Sequence, residues 1–191
     1  MKVTIFTQNK DNYSRNGAFS QVIFVYYCLN KIKQVNCKVF TNNGIPIFKD
    51  VETYNNINEL LLQDVIIFLN GFPSQQIDYL EKFKQNNIKL IFYNCGNYYY
   101  VFQEDVLFDH HKWIENNNVG SFGYCDRLIH IPNYIQNQEF YKSIFNINDV
   151  QIAPYVWYNN LVDDWIKQNN YSLYYNPKIN KSKTKYIVIA E

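Results

Sequence analysis

Short apolar runs alternate along this chain with polar segments whose apolar residues return at helical spacing. The runs cover residues 2–7 (KVTIFT), 37–41, 64–69 (DVIIFL), 88–94, 125–131 and 150–156 (VQIAPYV). They are rich in β-branched and aromatic residues and do not alternate with polar ones, which is the pattern of strands buried on both faces. Between them, Phe19, Val22, Ile23, Tyr26, Tyr27 and Leu29 predict a helix from about 17 to 33. Ile77, Leu80 and Phe83 predict one over 74–86 with Ser74 as N-cap, and Phe140, Ile144 and Phe145 predict one over 136–145. Residues 57–62 read as a brief helix, 160–167 as a helical turn or two, and 45–54 is ambiguous.

Strand and helix alternate about six times, and with right-handed crossovers that order gives an α/β fold. The expectation is a Rossmann-like, doubly wound, mostly parallel sheet with helices on both faces. Every polar break at 8–17, 70–73, 94–99, 132–134 and 154–157 follows a strand, so all five fall on one sheet edge. Open parallel sheets bind ligands at that edge, outside the carboxyl ends of the strands.

The stretch 90–108, LIFYNCGNYYYVFQEDVLF, is the centre of this reading. A buried strand runs into Cys95-Gly96-Asn97 and then into a segment that reads as helical, which puts Asn94, Gly96, Asn97 and Tyr99 at the site edge. The competing explanation makes Gly96 a turn glycine and Tyr98 to Tyr100 packing aromatics. At the start of the first helix, Asn16 reads as an N-cap. Gly17 lets a group approach the free amides of the first turn, where an anion such as a diphosphate is favoured. The alternative there is a cap and a turn without a ligand.

Composition narrows the partners. Eighteen Lys and Arg against 17 Asp and Glu leave a net charge of +1, so no global field draws in nucleic acid or an anionic membrane. The 18 Tyr and 14 Phe also fit an AT-rich genome, which weakens aromatic abundance as a sign of sugar stacking. Cys28, Cys37, Cys95 and Cys125 are widely spaced and read as reduced core thiols. His110 and His111 are adjacent and project in different directions, a poor arrangement for a metal. No apolar run reaches the roughly 18 residues of a membrane span. The start lacks the features of a signal peptide. A cytoplasmic chain is expected, in the host cytoplasm if the source is viral.

Residues 169–184, rich in Asn, Lys, Ser and Tyr with Pro177 inside, read as a linker. The run 185–190 (KYIVIA) then reads as one more buried strand, ending at Glu191. The expected organisation is a Rossmann-like domain over 1–168, the linker, and at 185–191 the first strand of a second domain.

In this order the motifs resemble a family. Asn16-Gly17-x-x-x-Gln21, then Tyr93-x-x-Gly96-Asn97-x-Tyr99 with Glu104 and Val106-Leu107-Phe108, then Asp126 and Ile131-Pro132, then Ala153-Pro154-Tyr155-Val156-Trp157 are similar to motifs of an uncharacterised family of glycosyltransferase-like proteins. That family has the GT-B double-Rossmann architecture and is known from bacteria and large DNA viruses. The resemblance covers nearly the whole chain in order, through short motifs. It implies an acceptor-side N-terminal domain, a nucleotide-sugar donor, a glycan or other hydroxyl acceptor, and no metal or other cofactor. It also implies that Lys185 to Ala190 and Glu191 open the donor-binding domain. The chain departs from the family at Tyr98 and Phe102, positions often acidic there, and at Tyr155, where a histidine is common.

Sugar transfer needs dipolar or positive groups for the leaving diphosphate, hydrogen-bonding groups for sugar hydroxyls and, with inversion, a base. Asn16, Gly17 and the helix after them suit the first role, and Gln21 is a further substrate-binding candidate. Asn97, Tyr99 and Trp157 suit sugar recognition, because aromatic rings stack on apolar sugar faces and amides read hydroxyls, and Asn94, Gly96 and Pro154 complete the substrate-binding candidates. Glu104 and Asp126 are the candidate bases, against a solvated helix face and a loop cap as their structural alternatives. Glu191 would meet the donor once the second domain is attached. The expected function is therefore a glycosyltransferase half, nearly inactive alone. A non-catalytic carbohydrate-binding module and a scaffold domain with a degenerate site are the alternatives.

Overall fold

The apolar runs pair into one sheet because each is buried on both faces and needs a partner for every backbone amide. A computed structural model describes residues 1–7, 17–45, 50–69, 77–94, 123–130 and 138–152, all within the compact unit Met1–Tyr155. Its strands are β1 (Lys2–Thr7), β2 (Asn36–Thr41), β3 (Thr53–Tyr54), β4 (Val65–Leu69), β5 (Lys89–Asn94), β6 (Arg127–His130) and β7 (Val150–Ile152). Its helices are α1 (Gly17–Asn30), α2 (Ile57–Leu60), α3 (Ile77–Gln85) and α4 (Gln138–Phe145).

The strands form a single sheet in the order β3-β2-β1-β4-β5-β6-β7, and every pair is parallel. From β1 the chain first builds outward through β2 to β3, then returns to the other side of β1 with β4 and continues outward to β7. The direction of winding therefore reverses between β1 and β4. This is a doubly wound, Rossmann-like α/β sheet.

Two apolar layers cover it. On one face Val3, Ile5, Cys37, Val39, Ile67 and Leu69 pack with Val22 and Tyr26 of α1. On the other, Phe6, Phe40, Phe68, Leu90, Phe92 and Leu128 pack with Leu60 of α2, Leu80 and Phe83 of α3, and Tyr141 and Phe145 of α4. Burial of either layer far exceeds any local helix preference as a stabilising term, at about 25 cal/mol per Å² of apolar surface. Aromatic rings carry the second layer along the sheet. Phe6 stacks on Phe40 at 5.0 Å, Phe68 tilts against Phe6 at 5.4 Å, and Phe145 of α4 meets Phe92 edge-on at 5.6 Å.

Asparagine, abundant in this chain, ends two of the helices. Asn87 after α3 and Asn146 after α4 adopt φ of 58° and 53°, the left-handed conformation that asparagine tolerates better than other side-chain-bearing residues. After α3, the Ile88 amide donates back to the Phe83 carbonyl at 3.0 Å and satisfies one of the helix's last free acceptors. At the other end of a helix, Asn56 caps α2 by accepting from the Asn58 amide at 3.1 Å.

The strand predictions hold to within one or two residues for β1, β2, β4, β5 and the start of β7. The ambiguous 45–54 contains the two-residue β3, and α1 stops at Asn30 instead of Lys33. The expected helix after Gly96, the histidine pair, the helical turns at 160–167, the boundary at 168, the linker 169–184 and the strand 185–190 lie outside the described residues. So does Cys95. Of the other cysteines, Cys37 and Cys125 are buried and Cys28 is partly exposed; all three are free thiols. Burial pushes the Cys37 thiol up to about 12, so it stays protonated and inert at neutral pH.

Candidate functional site

Because every strand runs the same way, the residues that end them share one edge. Thr7, Thr41, Leu69, Asn94, His130 and Ile152 close β1, β2, β4, β5, β6 and β7. None is Asp, Glu, Lys or Arg, yet three are polar and fully buried: Thr7, Thr41 and His130 are each 0% exposed. Thr7 and Thr41 are register partners across β1 and β2, and Asn94 and His130 are partners across β5 and β6.

The two threonines lie on the α1 face. Side chains two apart on a strand share a face, and Val3 and Ile5 below Thr7, like Cys37 and Val39 below Thr41, belong to the layer covered by Val22 and Tyr26 of α1. The Thr41 hydroxyl donates to the Ile45 carbonyl at 3.4 Å. The Thr7 Oγ1 is buried without any hydrogen-bond partner. Leaving a buried hydroxyl unpaired costs about 1–3 kcal/mol, so the position calls for an explanation. His130 lies on the opposite face, where its ring packs on Tyr141 of α4 with centroids 4.5 Å apart.

The structure also places several of the residues singled out in the sequence. Gly17 is the first residue of α1. Gln21, one turn further along, is 7% exposed. Asn94 ends β5 at the expected edge. Asn16, Gly96, Asn97, Tyr99, Glu104, Pro154, Trp157 and Glu191 lie outside the described residues.

Asp126 requires a correction. It immediately precedes β6 and therefore sits at the amino ends of the strands, across the sheet from the carboxyl edge. Its amide donates to the Leu90 carbonyl at 2.7 Å, and its carboxylate accepts the Leu90 amide at 2.8 Å and the Lys84 ammonium at 2.6 Å. Burial alone would raise its pKa, but the Lys84 bond, the Leu90 amide and the more distant Lys89 outweigh that and hold the carboxyl below its ordinary value. A carboxyl kept ionised and occupied in this way is a sheet cap, and it has no path to an acceptor hydroxyl at the far edge.

The same device occurs at one other strand start, and a third strand start has an aspartate bonded differently. Asp64 precedes β4; its carboxylate accepts the Lys2 amide at 2.6 Å while its own amide donates to the Lys2 carbonyl at 2.9 Å. Asp149 precedes β7, where its carbonyl takes the Leu128 amide at 2.8 Å and its carboxylate pairs with Arg127 at 2.7 Å. An aspartate directly before an apolar run, as in D-VIIFL and D-RLIH, is thus a sequence signal for this cap. That signal would have removed Asp126 from the candidate bases.

The family model described as "Protein of unknown function (DUF2827)" matches residues 1–191. The chain belongs to this family. No curated protein matches it. Among solved structures, an AraC family transcriptional regulator from Pseudomonas putida is similar over 80% of this chain and 75% of that one, at 13% identity and a TM-score of 0.37. S. aureus homoserine dehydrogenase at pH 7.0 is similar over 69% of this chain and 33% of that one, at 15% identity and a TM-score of 0.34. Neither likeness carries an argument about activity, and the fold stands on the strand order itself.

Among the described residues no group of three or more His, Cys, Asp or Glu could hold a metal ion, and no helix is long and apolar enough to cross a membrane. The described part of this edge holds the buried Thr7 and Thr41 hydroxyls and the buried His130 ring. Thr7, Thr41 and His130 were missed by motif reading. Each is the last residue of its strand, and asking what ends each apolar run would have found them.

Proposed function

We propose that this chain is the acceptor-side half of a glycosyltransferase that moves a sugar from a nucleotide-sugar donor to a glycan or other hydroxyl acceptor. The observation that supports the reading is where the resembling motifs start. Asn16-Gly17 leads into α1 after β1, Tyr93 and Asn94 end β5, Ile131-Pro132 follows β6, and Ala153-Pro154 follows β7. With all strands parallel, Thr7, Asn94, His130 and Ile152, the strand ends from which these motifs run on in the sequence, share the carboxyl edge, which is where open α/β sheets take their ligands. Asp126 is the exception, and its capping bonds explain it.

On this reading α1 faces the leaving diphosphate, Asn94, Asn97, Tyr99 and Trp157 read the sugars, and Glu104 remains the candidate base. A second α/β domain completes the cleft from the donor side. The test is donor hydrolysis, measured in chelator-treated buffer on a panel of nucleotide sugars, for the 191-residue chain and for a chain that continues through a second domain. The expected result is turnover of one donor by the longer chain only. If neither chain turns over or binds any nucleotide sugar while the shorter one binds a glycan, a carbohydrate-binding module replaces the enzyme.

A further inference from the structure

The turn that leaves β2 brings an amide carbon and an unhindered backbone nitrogen together at the surface. After Thr41 the chain passes through Asn42, Asn43 and Gly44, with both asparagines exposed and Gly44 at φ 69°. The Gly44 amide donates to the Thr41 carbonyl at 3.2 Å and closes the turn. The Ile45 amide donates to the Asn43 Oδ1 at 3.0 Å, so the Asn43 side chain is folded back along the residues that follow it. That bond draws electron density from the side-chain carbonyl and stabilises negative charge building on Oδ1. Gly44 has no Cβ to keep its nitrogen from the Asn43 Cγ. Asn87 and Asn146 lie in turns too, but each precedes a buried isoleucine, Ile88 and Ile147, whose branched side chain crowds the nitrogen.

We infer that the Asn43-Gly44 turn is a site of self-modification, at which Asn43 becomes aspartate and isoaspartate. Hydroxide takes the Gly44 amide proton, the nitrogen bonds to the Asn43 Cγ, and the Cγ–Nδ2 bond breaks as ammonia leaves, closing a succinimide ring. Water then opens the ring. Cleavage between the Gly44 nitrogen and Cγ gives aspartate. Cleavage between that nitrogen and the Asn43 main-chain carbonyl carbon gives isoaspartate, in which the main chain runs through the side chain. The net reaction consumes a water, releases an ammonia and transfers no electrons to or from another reactant.

The two products differ in what they do to the sheet edge. Aspartate keeps an oxygen for the Ile45 amide. Isoaspartate inserts a carbon into the main chain ahead of Ile45, whose carbonyl accepts from the buried Thr41 hydroxyl at 3.4 Å, and so withdraws that acceptor. Either product takes the formal net charge of the chain from +1 to zero. The new carboxylate stands beside strand ends that carry no charged side chain among the described residues. None of this depends on the proposed function.

The experiment is incubation of the 191-residue chain at 37 °C and pH 8, folded and in urea, followed by tryptic mapping with mass spectrometry and enzymatic methylation of isoaspartate. In the folded protein the peptide 39–49 (VFTNNGIPIFK) is expected to convert at Asn43 into aspartyl and isoaspartyl forms. Gly44→Ala sets a methyl beside the attacking nitrogen and should slow conversion by about tenfold or more. Its methyl would stand 3.1 Å from the Asn55 side chain, so Asn43→Gln, which closes the larger ring far more slowly, takes its place if that variant does not fold. The isolated isoaspartyl form should melt roughly 2–4 °C below Asn43→Asp, the size of one lost hydrogen bond in a chain of this length.

An Asn43 that stays intact in the folded protein while the same peptide converts in urea overturns the inference. Conversion confined to the other Asn-Gly pairs, at Asn16 and Asn70, overturns it as well. An isoaspartyl form as stable as Asn43→Asp overturns the link to Thr41.

Discussion

The two edges of the sheet are built from the same seven strands and by opposite means. At the amino edge, charged groups are plentiful and their bonds are made. Asp64, Asp126 and Asp149 each tie the start of one strand to its neighbour, with Lys84 and Arg127 as counter-charges. At the carboxyl edge the described strand ends carry no carboxylate, ammonium or guanidinium, and one of the buried hydroxyls lacks a partner. Polar atoms at the first edge hold the sheet together, while those at the second are held by the sheet.

Substitutions at the two edges should therefore differ in sign as well as size. The largest effect is expected for His130→Ala, which removes a fully buried ring from the Tyr141 surface. A loss of about 2–4 kcal/mol, read by urea denaturation, is expected from the cavity and the lost packing. A loss under about 0.5 kcal/mol would mean that the ring contributes nothing to the core and that this end of β6 is as loose as a surface site.

Next comes Asp126→Ala, with an expected loss of about 1–2 kcal/mol as the Leu90 amide and Lys84 lose their acceptor at a partly solvated position. Its pH dependence is the sharper check. The folded carboxyl lies below the ordinary value of 3.8, so its stabilising effect is complete well above that pH and is lost as pH falls through the folded value. Denaturation curves of wild type and Asp126→Asn should therefore converge toward pH 3 and separate by pH 6. Separation that grows on acidification would reverse the sign and break the account.

Thr7→Val should move stability the other way, by about 1 kcal/mol in favour of the ligand-free protein, since an unpaired hydroxyl is exchanged for a methyl of similar shape. Stabilisation at one edge beside destabilisation at the other is the clearest expression of the contrast, and equal losses at both would erase it. The smallest effect is expected for Arg127→Ala. Its pair with Asp149 is about half exposed, and its removal should cost about 0.5 kcal/mol or less, vanishing near 1 M salt.

Thiol labelling extends the comparison of environments to neutral groups. Burial raises both Cys28 and Cys37, but Cys37 is the more deeply enclosed of the two. Alkylation at pH 8 should modify Cys28 well before Cys37, as peptide mapping would show.

Much of this arrangement was legible in the sequence. The apolar runs at 2–7, 64–69 and 88–94 named the central strands because a strand covered on both faces is apolar along most of its length. Gly17 was recognised as a helix start, and Asn94 as a strand end, from local grammar alone. Asp126 stood between a base and a cap because its residue type fits both equally well. Only the pairing of β5 with β6 puts the Leu90 amide and Lys84 within its reach.

What the sequence determined by itself was the alternation of elements and, through the handedness of crossovers, a parallel doubly wound sheet. These depend on periodicity and chain connectivity, which are local. The tertiary structure alone decided the order β3-β2-β1-β4-β5-β6-β7, and with it which polar residues became neighbours. Thr7 and Thr41 stand 34 residues apart in the chain and side by side in the sheet. Whether a buried hydroxyl finds a partner depends on such distant neighbours, so the open bond of Thr7 could be read only once the strands had been placed.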